Sequence, residues 1–231
     1  MKYTNENLQA GYTKLSEQIK PVFSSTAGYQ NAKDYLWGLL SPAQRKNGWQ
    51  LAETLGKQAP YSIQQMLYRG RFSADALRDV LRGYVSENLG EEEGVLVVDE
   101  TGFLKQGKKS CGVKRQYSGT AGRVQNCQVG VFLTYAGSKG HAILDRRLYL
   151  PAEWCEDEQR RKGAGVPESV VFQTKPVMAL EMIQQATGVK HLPVRDDRHT
   201  RRDRCLAAGF SCSALACAAL CRALLLYFLV E

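Results

Sequence analysis

The stretch GVLVVDETGFLK, residues 94–105, decides the fold. Its apolar run from Val95 to Val98 shows no alternation, and it therefore predicts a strand covered on both faces in the middle of a sheet. The run delivers one carboxylate, Asp99, to the carboxyl end of that strand. A carboxylate there is costly unless it is paired or binds a metal ion, so Asp99 is a candidate site residue. The alternative is an Asp that only opens a turn before Gly102.

The segment that follows Asp99 is rich in cations and free of acids. No Asp or Glu occurs from Thr101 to Leu144. An enzyme that acts on a polyanion needs cations to contact phosphates and a carboxylate to hold a metal ion. We expect DNA affinity to reside in the loop from Lys105 to Arg123. The candidate DNA-binding residues are Lys105, Lys108, Lys109, Lys114, Arg115 and Arg123.

The charge of the chain is unevenly distributed. The net charge is +8, with 11 basic and 10 acidic side chains in residues 1–93 and 20 and 13 in residues 94–231. This excess favours nucleic acid or an anionic membrane surface as a partner. The seven cysteines form no C-x-x-C pair, and the polar start MKYTNENLQ is no secretory signal. We therefore expect a cytoplasmic protein and not a disulfide-rich secreted one.

Residues 1–90 are predicted to form a helical domain. Ser41 and Pro42 are a typical N-cap and first-turn pair for a helix that ends near Leu55, and Ser73 is a second N-cap. Residues 61–69 are predicted to be a short helix that Gly70 joins to the next one, with Arg69 and Arg71 at the turn. This is a helix-turn-helix arrangement. From these residues alone, a plain helical bundle and a DNA-contacting domain both stay open.

Residues 89–94, LGEEEG, are predicted to be the boundary between two domains. We interpret the three glutamates there as a solvated run and not as ligands.

Strands are predicted at residues 95–104, 128–135 and 141–150, with a hairpin turn at 137–140 and a helix at 176–186. The fold class is therefore α/β (α+β), with helices first and a mixed sheet second.

These segments, in this order, resemble the DDE-superfamily transposases of bacterial insertion sequences. The resemblance covers about residues 23–183, and its strongest parts begin at VVDETGFLK, GHAILDRRLYLPAEW and FQTKPVMALEMI. It implies a DNA-contacting helical region at 1–90 and a partial ribonuclease H-like catalytic domain at 94–204. It also implies Mg²⁺ or Mn²⁺ as cofactor and DNA, as element ends and target, as partner.

The family's catalytic acids can be sought residue by residue. Its first Asp lies on the first strand, which matches Asp99, and its second follows the strand after the helix. Asp196 and Asp197 are available there, and the spacing favours Asp197. The resemblance thus implies Asp99 and Asp197 as catalytic metal ligands. The sequence departs from the family pattern nearby, because Pro193 weakens the strand and the expected aromatic and glycine neighbours are missing. A solvated charge cluster is the alternative.

Residues 205–231 form an apolar tail in which Arg222 is the one charge before Glu231. Such a run is formally a membrane-span candidate, but we rank a span below a buried or frame-shifted segment, and we expect no membrane. A zinc site from the His and Cys residues of this region lacks the close spacing of a structural motif.

The family's third acid, a Glu much later in the chain, has no match before residue 231. This predicts a truncated relative that binds DNA but does not cleave it by itself. Two functions stay open. The first is a transposase that cleaves and joins DNA with two divalent ions. The second is an inactive DNA-binding module that inhibits a full-length transposase by sharing its dimer surface or its DNA ends. The expected partners are DNA and a second copy or a full-length relative.

Overall fold

The computed structural model describes residues 5–186 and the backbone of residues 192–196. These residues divide into two compact units. One holds residues 5–92 together with 137–142, and the other holds 93–136, 143–186 and 192–196. The division falls within the segment 89–94. No helix of the described residues is long and apolar enough to cross a membrane.

The helical unit contains five α-helices among its described residues. They are α1 (Asn5–Ile19), α2 (Thr26–Leu40), α3 (Gly48–Thr54), α4 (Tyr61–Arg69) and α5 (Ala74–Asn88). Their apolar stripes meet in a core in which Leu15, Ile19, Leu51, Ile63 and Leu81 are at most 1% exposed. The burial of these stripes is the main source of helix stability, since helices of this length are marginal in water. The predicted helix at 61–69 has the observed bounds of α4.

One serine caps the start of α5, and another caps the end of α2. Ser73 caps α5 as predicted, because its Oγ accepts a hydrogen bond from the amide of Ala76 at 3.1 Å. The prediction for Ser41 and Pro42 is wrong. Ser41 ends α2, with its hydroxyl donating to the carbonyl of Gly38 at 2.6 Å, and α3 begins only after Asn47. A serine hydroxyl both donates and accepts, and proline also follows helix ends, so this pair of residues marks either terminus.

The second unit is built on a five-stranded mixed sheet. Its strands are β1 (Val95–Leu104), β2 (Lys114–Ser118), β3 (Arg123–Gly137), β4 (Gly140–Tyr149) and β5 (Leu192–Asp196). The order is β2-β3-β1-β5, with β4 also on β3. β1 pairs antiparallel with β3 and parallel with β5. The three other helices of the described chain are α6 (Ala152–Glu156), α7 (Glu158–Gly163) and α8 (Lys175–Gln185). The α/β class with helices preceding a mixed sheet is thus confirmed.

The predicted strands agree with the sheet except in their lengths and in one omission. β1 has the predicted bounds, and β3 and β4 flank the predicted hairpin turn, where Gly140 has a φ of 146°. β3 is longer than predicted, and β2 was not predicted at all. β2 reads KRQYS, and an edge strand of polar residues carries no apolar alternation that could reveal it.

Two expectations about β1 are wrong. Only Leu96 and Gly102 are buried on this strand, while Val95, Val97 and Val98 are half-buried. Asp99 is not at the carboxyl end, because β1 continues for five residues to Leu104. The reason is the length of β3, which supplies a partner for every residue of β1. The strand that ends beside Asp99 is β5, whose last pair joins Asp196 to Val98.

Candidate nucleic-acid interface

Asp99 lies half-buried on the central strand β1, opposite Phe132 on β3. Its Oδ1 accepts a hydrogen bond from the amide of Glu100 at 2.8 Å. Successive side chains of a strand point to opposite faces, so Asp99 and Glu100 diverge. Glu100 forms an ion pair with Lys175, the first residue of α8. The two adjacent acids therefore differ in role, because Glu100 ties β1 to α8.

Asp197 lies outside the described residues. The strand that leads to it is described to Asp196, which pairs with Val98, the residue before Asp99. Within the described residues, no group of three or more His, Cys, Asp or Glu is placed to hold a metal ion. Asp99 supplies a hard carboxylate oxygen on a partly accessible side chain, which is the ligand type that Mg²⁺ and Mn²⁺ prefer.

The segment from Lys105 to Arg123, named here the basic segment, is not the continuous loop that we expected. Residues 105–113 form a loop, and β2 follows it. The register runs from Lys114 paired with Cys127 to Ser118 paired with Arg123. Gly102 on β1 admits this hairpin, because a Cβ at that position would lie 2.5 Å from the Ser118 Oγ. The basic segment is therefore half loop and half β-hairpin.

Side chains from the sheet and from α6 hold the loop part of the basic segment. Asn126 donates to the carbonyls of Lys105 and Gly107, each at 2.8 Å. Gln128 donates to the carbonyl of Cys111 at 2.6 Å. The indole of Trp154, which is fully buried, donates to the carbonyl of Val113 at 2.9 Å. The loop is therefore fixed by donors that come from outside it.

Two arginines of α7 complete this support, and the sequence reasoning missed them. The Arg160 guanidinium lies 3.8 Å from the centroid of the Trp154 ring and donates to the carbonyls of Lys108 and Val113. Arg161 donates to four carbonyls, those of Cys155, Pro167, Glu168 and Val170. These cations hold backbone in place. The sequence QRRKG showed the charges but carried no signal of which ones face inward.

The six predicted DNA-binding cations differ in accessibility. Lys105 is half-buried, and Lys114 forms an ion pair with Glu153 at 2.5 Å. The other four are exposed, and they are Lys108, Lys109, Arg115 and Arg123. Tyr117, which the sequence reasoning also missed, is 61% exposed and pairs across the hairpin with Val124. The surface thus combines exposed cations with an exposed ring that can stack on a base.

A buried carboxylate on β4 is the remaining feature that the sequence did not reveal. The Asp145 side chain is 0% exposed, and its Oδ1 accepts from the amide of Arg146 at 2.8 Å. The Nη1 of Arg146 lies 3.8 Å from it. Arg147 instead forms an ion pair with Glu181 on α8. A buried charge needs such a partner, and LDRR in an otherwise apolar strand was the signal that could have indicated it.

Glu92 and Glu93 are exposed, as predicted for a solvated run, whereas Glu91 is half-buried. Glu91 accepts hydrogen bonds from the amide and the hydroxyl of Ser138, the latter at 2.7 Å. These hydrogen bonds lower the pKa of the Glu91 carboxyl. Burial raises the pKa of the Cys127 and Cys155 thiols. A raised pKa keeps these two thiols neutral and unreactive.

Two comparisons with known proteins match the part of the chain that contains Asp99 and the basic segment. The family model described as DDE superfamily endonuclease matches residues 18–194. A protein of Microchaete diplosiphon named "Probable transposase for insertion sequence element IS701" is 28% identical over 175 residues. That alignment covers 74% of this chain and 43% of the relative, so the chain spans less than half of the relative's length. The matched range contains Asp99, the basic segment, β1 to β4 and the first three residues of β5. The chain therefore belongs to the DDE superfamily of endonucleases.

Proposed function

We propose that this chain is a transposase-like DNA-binding protein of insertion-sequence mobility, with metal-dependent strand cleavage and transfer as the activity of the full-length family. Asp99 and Asp197 act as its metal-binding catalytic carboxylates. The observation that carries the proposal is the position of Asp99 on the central strand β1, one residue beyond the last pair with the parallel strand β5. Asp197 directly follows that strand in the chain. An acid on one strand and an acid that follows the adjacent parallel strand in the sequence are suited to share a divalent cation.

The sheet topology supports a ribonuclease H-like identity for this unit. β3 and β4 form a hairpin beside β1, and the chain then passes through α8 to reach β5 on the other side of β1. A divalent cation, when bound, activates the attacking oxygen and stabilises the leaving oxygen of a phosphodiester. The role of Asp99 is to hold Mg²⁺ or Mn²⁺ there. Glu100 cannot share that role while it is paired with Lys175.

DNA binding is assigned to the exposed cations of the basic segment. Lys108, Lys109, Arg115 and Arg123 are exposed, and the stretch from Thr101 to Leu144 contains no acid. Phosphate contacts of this kind position a duplex without reading its sequence. The name of the relative, a probable transposase for an insertion sequence element, agrees with a DNA substrate.

A nicking assay separates cleavage from binding alone. The full chain is incubated with Mg²⁺ or Mn²⁺ and a supercoiled plasmid that carries the terminal sequences of its own element. Nicking that is lost in Asp99→Asn but kept in Glu100→Gln supports the enzyme. Binding of the plasmid without nicking supports the alternative, an inactive module that competes for DNA ends. A chain that neither binds nor nicks the plasmid contradicts both functions.

Metal binding gives an independent readout of the same site. Mn²⁺ binding, followed by its paramagnetic relaxation of water protons, should be weakened at least tenfold in Asp99→Asn and in Asp197→Asn, since each removes one anionic ligand. Glu100→Gln is the matched control, because that residue is adjacent to Asp99 but points to the other face. Equal Mn²⁺ affinity in the Asp99→Asn variant and the wild type would remove Asp99 from the site.

A further inference from the structure

Charge is strongly polarised within the helical unit. Residues 35–74 carry a single acid, Glu53. They carry five bases, which are Arg45, Lys46, Lys57, Arg69 and Arg71. Residues 75–92 reverse this balance with five acids and two bases. The boundary between the two stretches is the start of α5, so neighbouring helices of the helix-turn-helix present opposite charge.

The exposed face of α4 lies opposite the side chains that anchor this helix in the core. Ile63 and Met66 bury the other side of this helix at 0% and 6% exposure. Residues 61, 64, 65 and 68 recur at helical spacing, so they form one stripe, and all four are exposed. Tyr61 is 63% and Tyr68 71% exposed, and glutamines stand between them. An aromatic and amide stripe without any acid is unusual for a solvated helix face, which is normally charged.

The exposed side chains of α5 are mostly carboxylates, which argues against DNA contact by that helix. Its exposed residues recur every four positions and are Asp75, Asp79, Gly83 and Glu87. Arg78 pairs with Asp75 and Asp79, and Glu87 pairs with Lys14, so nearby cations are already engaged. A row of carboxylates facing the phosphates of a duplex is repelled by them. In many helix-turn-helix proteins the second helix reads DNA, but here the charges favour the first.

The start of α3 extends the α4 surface. A Cβ at Gly48 would lie 3.1 Å from the Gln64 Cγ, so the backbone of α3 touches this glutamine. Trp49, the next residue, is 62% exposed. At the other end, the Arg69 guanidinium lies 5.8 Å from the centroid of the Tyr68 ring, and Arg71 is exposed just beyond it. The surface therefore has amides at its centre and cations at one end.

We propose that α4 is the helix that reads DNA sequence, with Gln64 and Gln65 contacting base edges in the major groove and Arg69 and Arg71 contacting phosphates. The inference rests on the proposed function in taking DNA as the partner, and it adds which helix determines specificity. A glutamine amide matches the donor and acceptor pattern of adenine in the major groove. The absence of acids from Thr54 to Ala74 favours a polyanion over a protein as occupant of this surface.

A selection from random DNA tests the assignment. The full chain is mixed with a library of random 20-base-pair duplexes, and the bound fraction is sequenced. The wild type should enrich a motif that contains adenine. The double variant Gln64→Ala/Gln65→Ala should lose discrimination at one or two positions by roughly tenfold each, because a bidentate contact contributes about that much. Affinity for unselected duplex should change less than twofold. Gln9→Ala, an exposed glutamine on α1, is the matched control.

The two arginines are expected to act differently from the glutamines. Arg69→Ala/Arg71→Ala should weaken binding to every sequence and reduce the slope of log affinity against log salt by about two units. The preferred motif should stay the same, since phosphate contacts carry no sequence information. All of these side chains are exposed, so circular dichroism should report unchanged folding. A loss of the wild-type motif in the arginine variant would contradict the division of roles.

Failure of this inference can be told apart from failure of the proposed function. A wild type that binds no duplex overturns both. A wild type that binds duplex without enriching any motif, or glutamine variants that keep the full motif, overturn only the reading role of α4. A further outcome concerns a protein partner. If Tyr68→Ala converts an oligomer into a monomer and leaves the motif unchanged, the α4 face is an interface between copies of the chain.

Discussion

The α4 face and the basic segment are both accessible, basic and free of acids, yet they are held in different ways. α4 is a regular helix anchored by Ile63 and Met66, and it presents amides and rings on a fixed spacing. The basic segment is a loop and an edge hairpin whose backbone is held by donors from other elements. A regular spacing can match base edges, whereas charge on a loop suffices for phosphates. The two proposals therefore assign specificity to α4 and affinity to the basic segment.

The largest effect should come from removing the anchor of the basic segment. Trp154→Ala deletes a fully buried ring, its hydrogen bond to Val113 and its contact with Arg160. We expect a loss of about 3 to 5 kcal/mol in the free energy of unfolding of the second unit. Urea denaturation followed by circular dichroism measures it. Trp49→Ala, at a 62% exposed position in the helical unit, is the matched control and should cost about 0.5 kcal/mol or less. Equal denaturation midpoints for the two variants would contradict the anchoring role.

The next effect concerns which cations contact phosphate. Replacing Lys108, Lys109 and Arg115 by Ala should reduce the salt slope by about three units and lower affinity at 0.1 M salt by about a hundredfold or more. Fluorescence anisotropy with a labelled duplex measures both quantities. Lys114→Ala is the control from the same segment, and its effect should be smaller than that of any one of the three, because Lys114 is paired with Glu153. Unaltered affinity in the triple variant would move DNA binding away from the basic segment.

The smallest effect lies at the hairpin tip, which belongs to the helical unit. The hydrogen bonds from Ser138 lower the pKa of Glu91 in the folded chain below its unfolded value. Their stabilising contribution is therefore fully present above about pH 5 and is lost as the pH falls through the folded pKa. We expect Ser138→Ala to cost about 0.5 kcal/mol at pH 7 and less at pH 3.5. Thermal unfolding at the two pH values checks this, and a difference that grows on acidification would have the wrong sign.

Sequence patterns predicted the regular elements well where one signal dominated. The apolar run after Gly94 located β1, and Ser73 and the stripe in α5 located that helix. Sequence patterns gave wrong predictions where one pattern fits two structures, as Ser41 and Pro42 fit both the start and the end of a helix. They also failed where an element forms because of residues that are distant in the sequence. β2 exists because β3 extends beyond β1 and offers it partners, and no property of KRQYS alone reveals that.

The candidate site was only partly predictable for a similar reason. The residues of the basic segment could be named from charge alone, because cations without acids are visible in any sequence. The sequence could not show which of these cations are free to contact DNA. Lys114 forms an ion pair with Glu153, 39 residues later. Arg160 and Arg161 donate hydrogen bonds to backbone carbonyls. Asp99 was found through the strand that carries it, but its place in the middle of β1 depends on the partner strand. Asp197 stays a prediction.

The donors that hold the loop of the basic segment also change its electrostatics. The carbonyl oxygens of Lys105, Gly107, Lys108, Cys111 and Val113 each accept a hydrogen bond from a side chain outside the loop. The negative end of each peptide dipole is thereby turned toward the protein and compensated. An approaching anion therefore meets less carbonyl repulsion than it would at a loop whose carbonyls had no donors. The loop should therefore attract anions more strongly than its formal charge alone indicates.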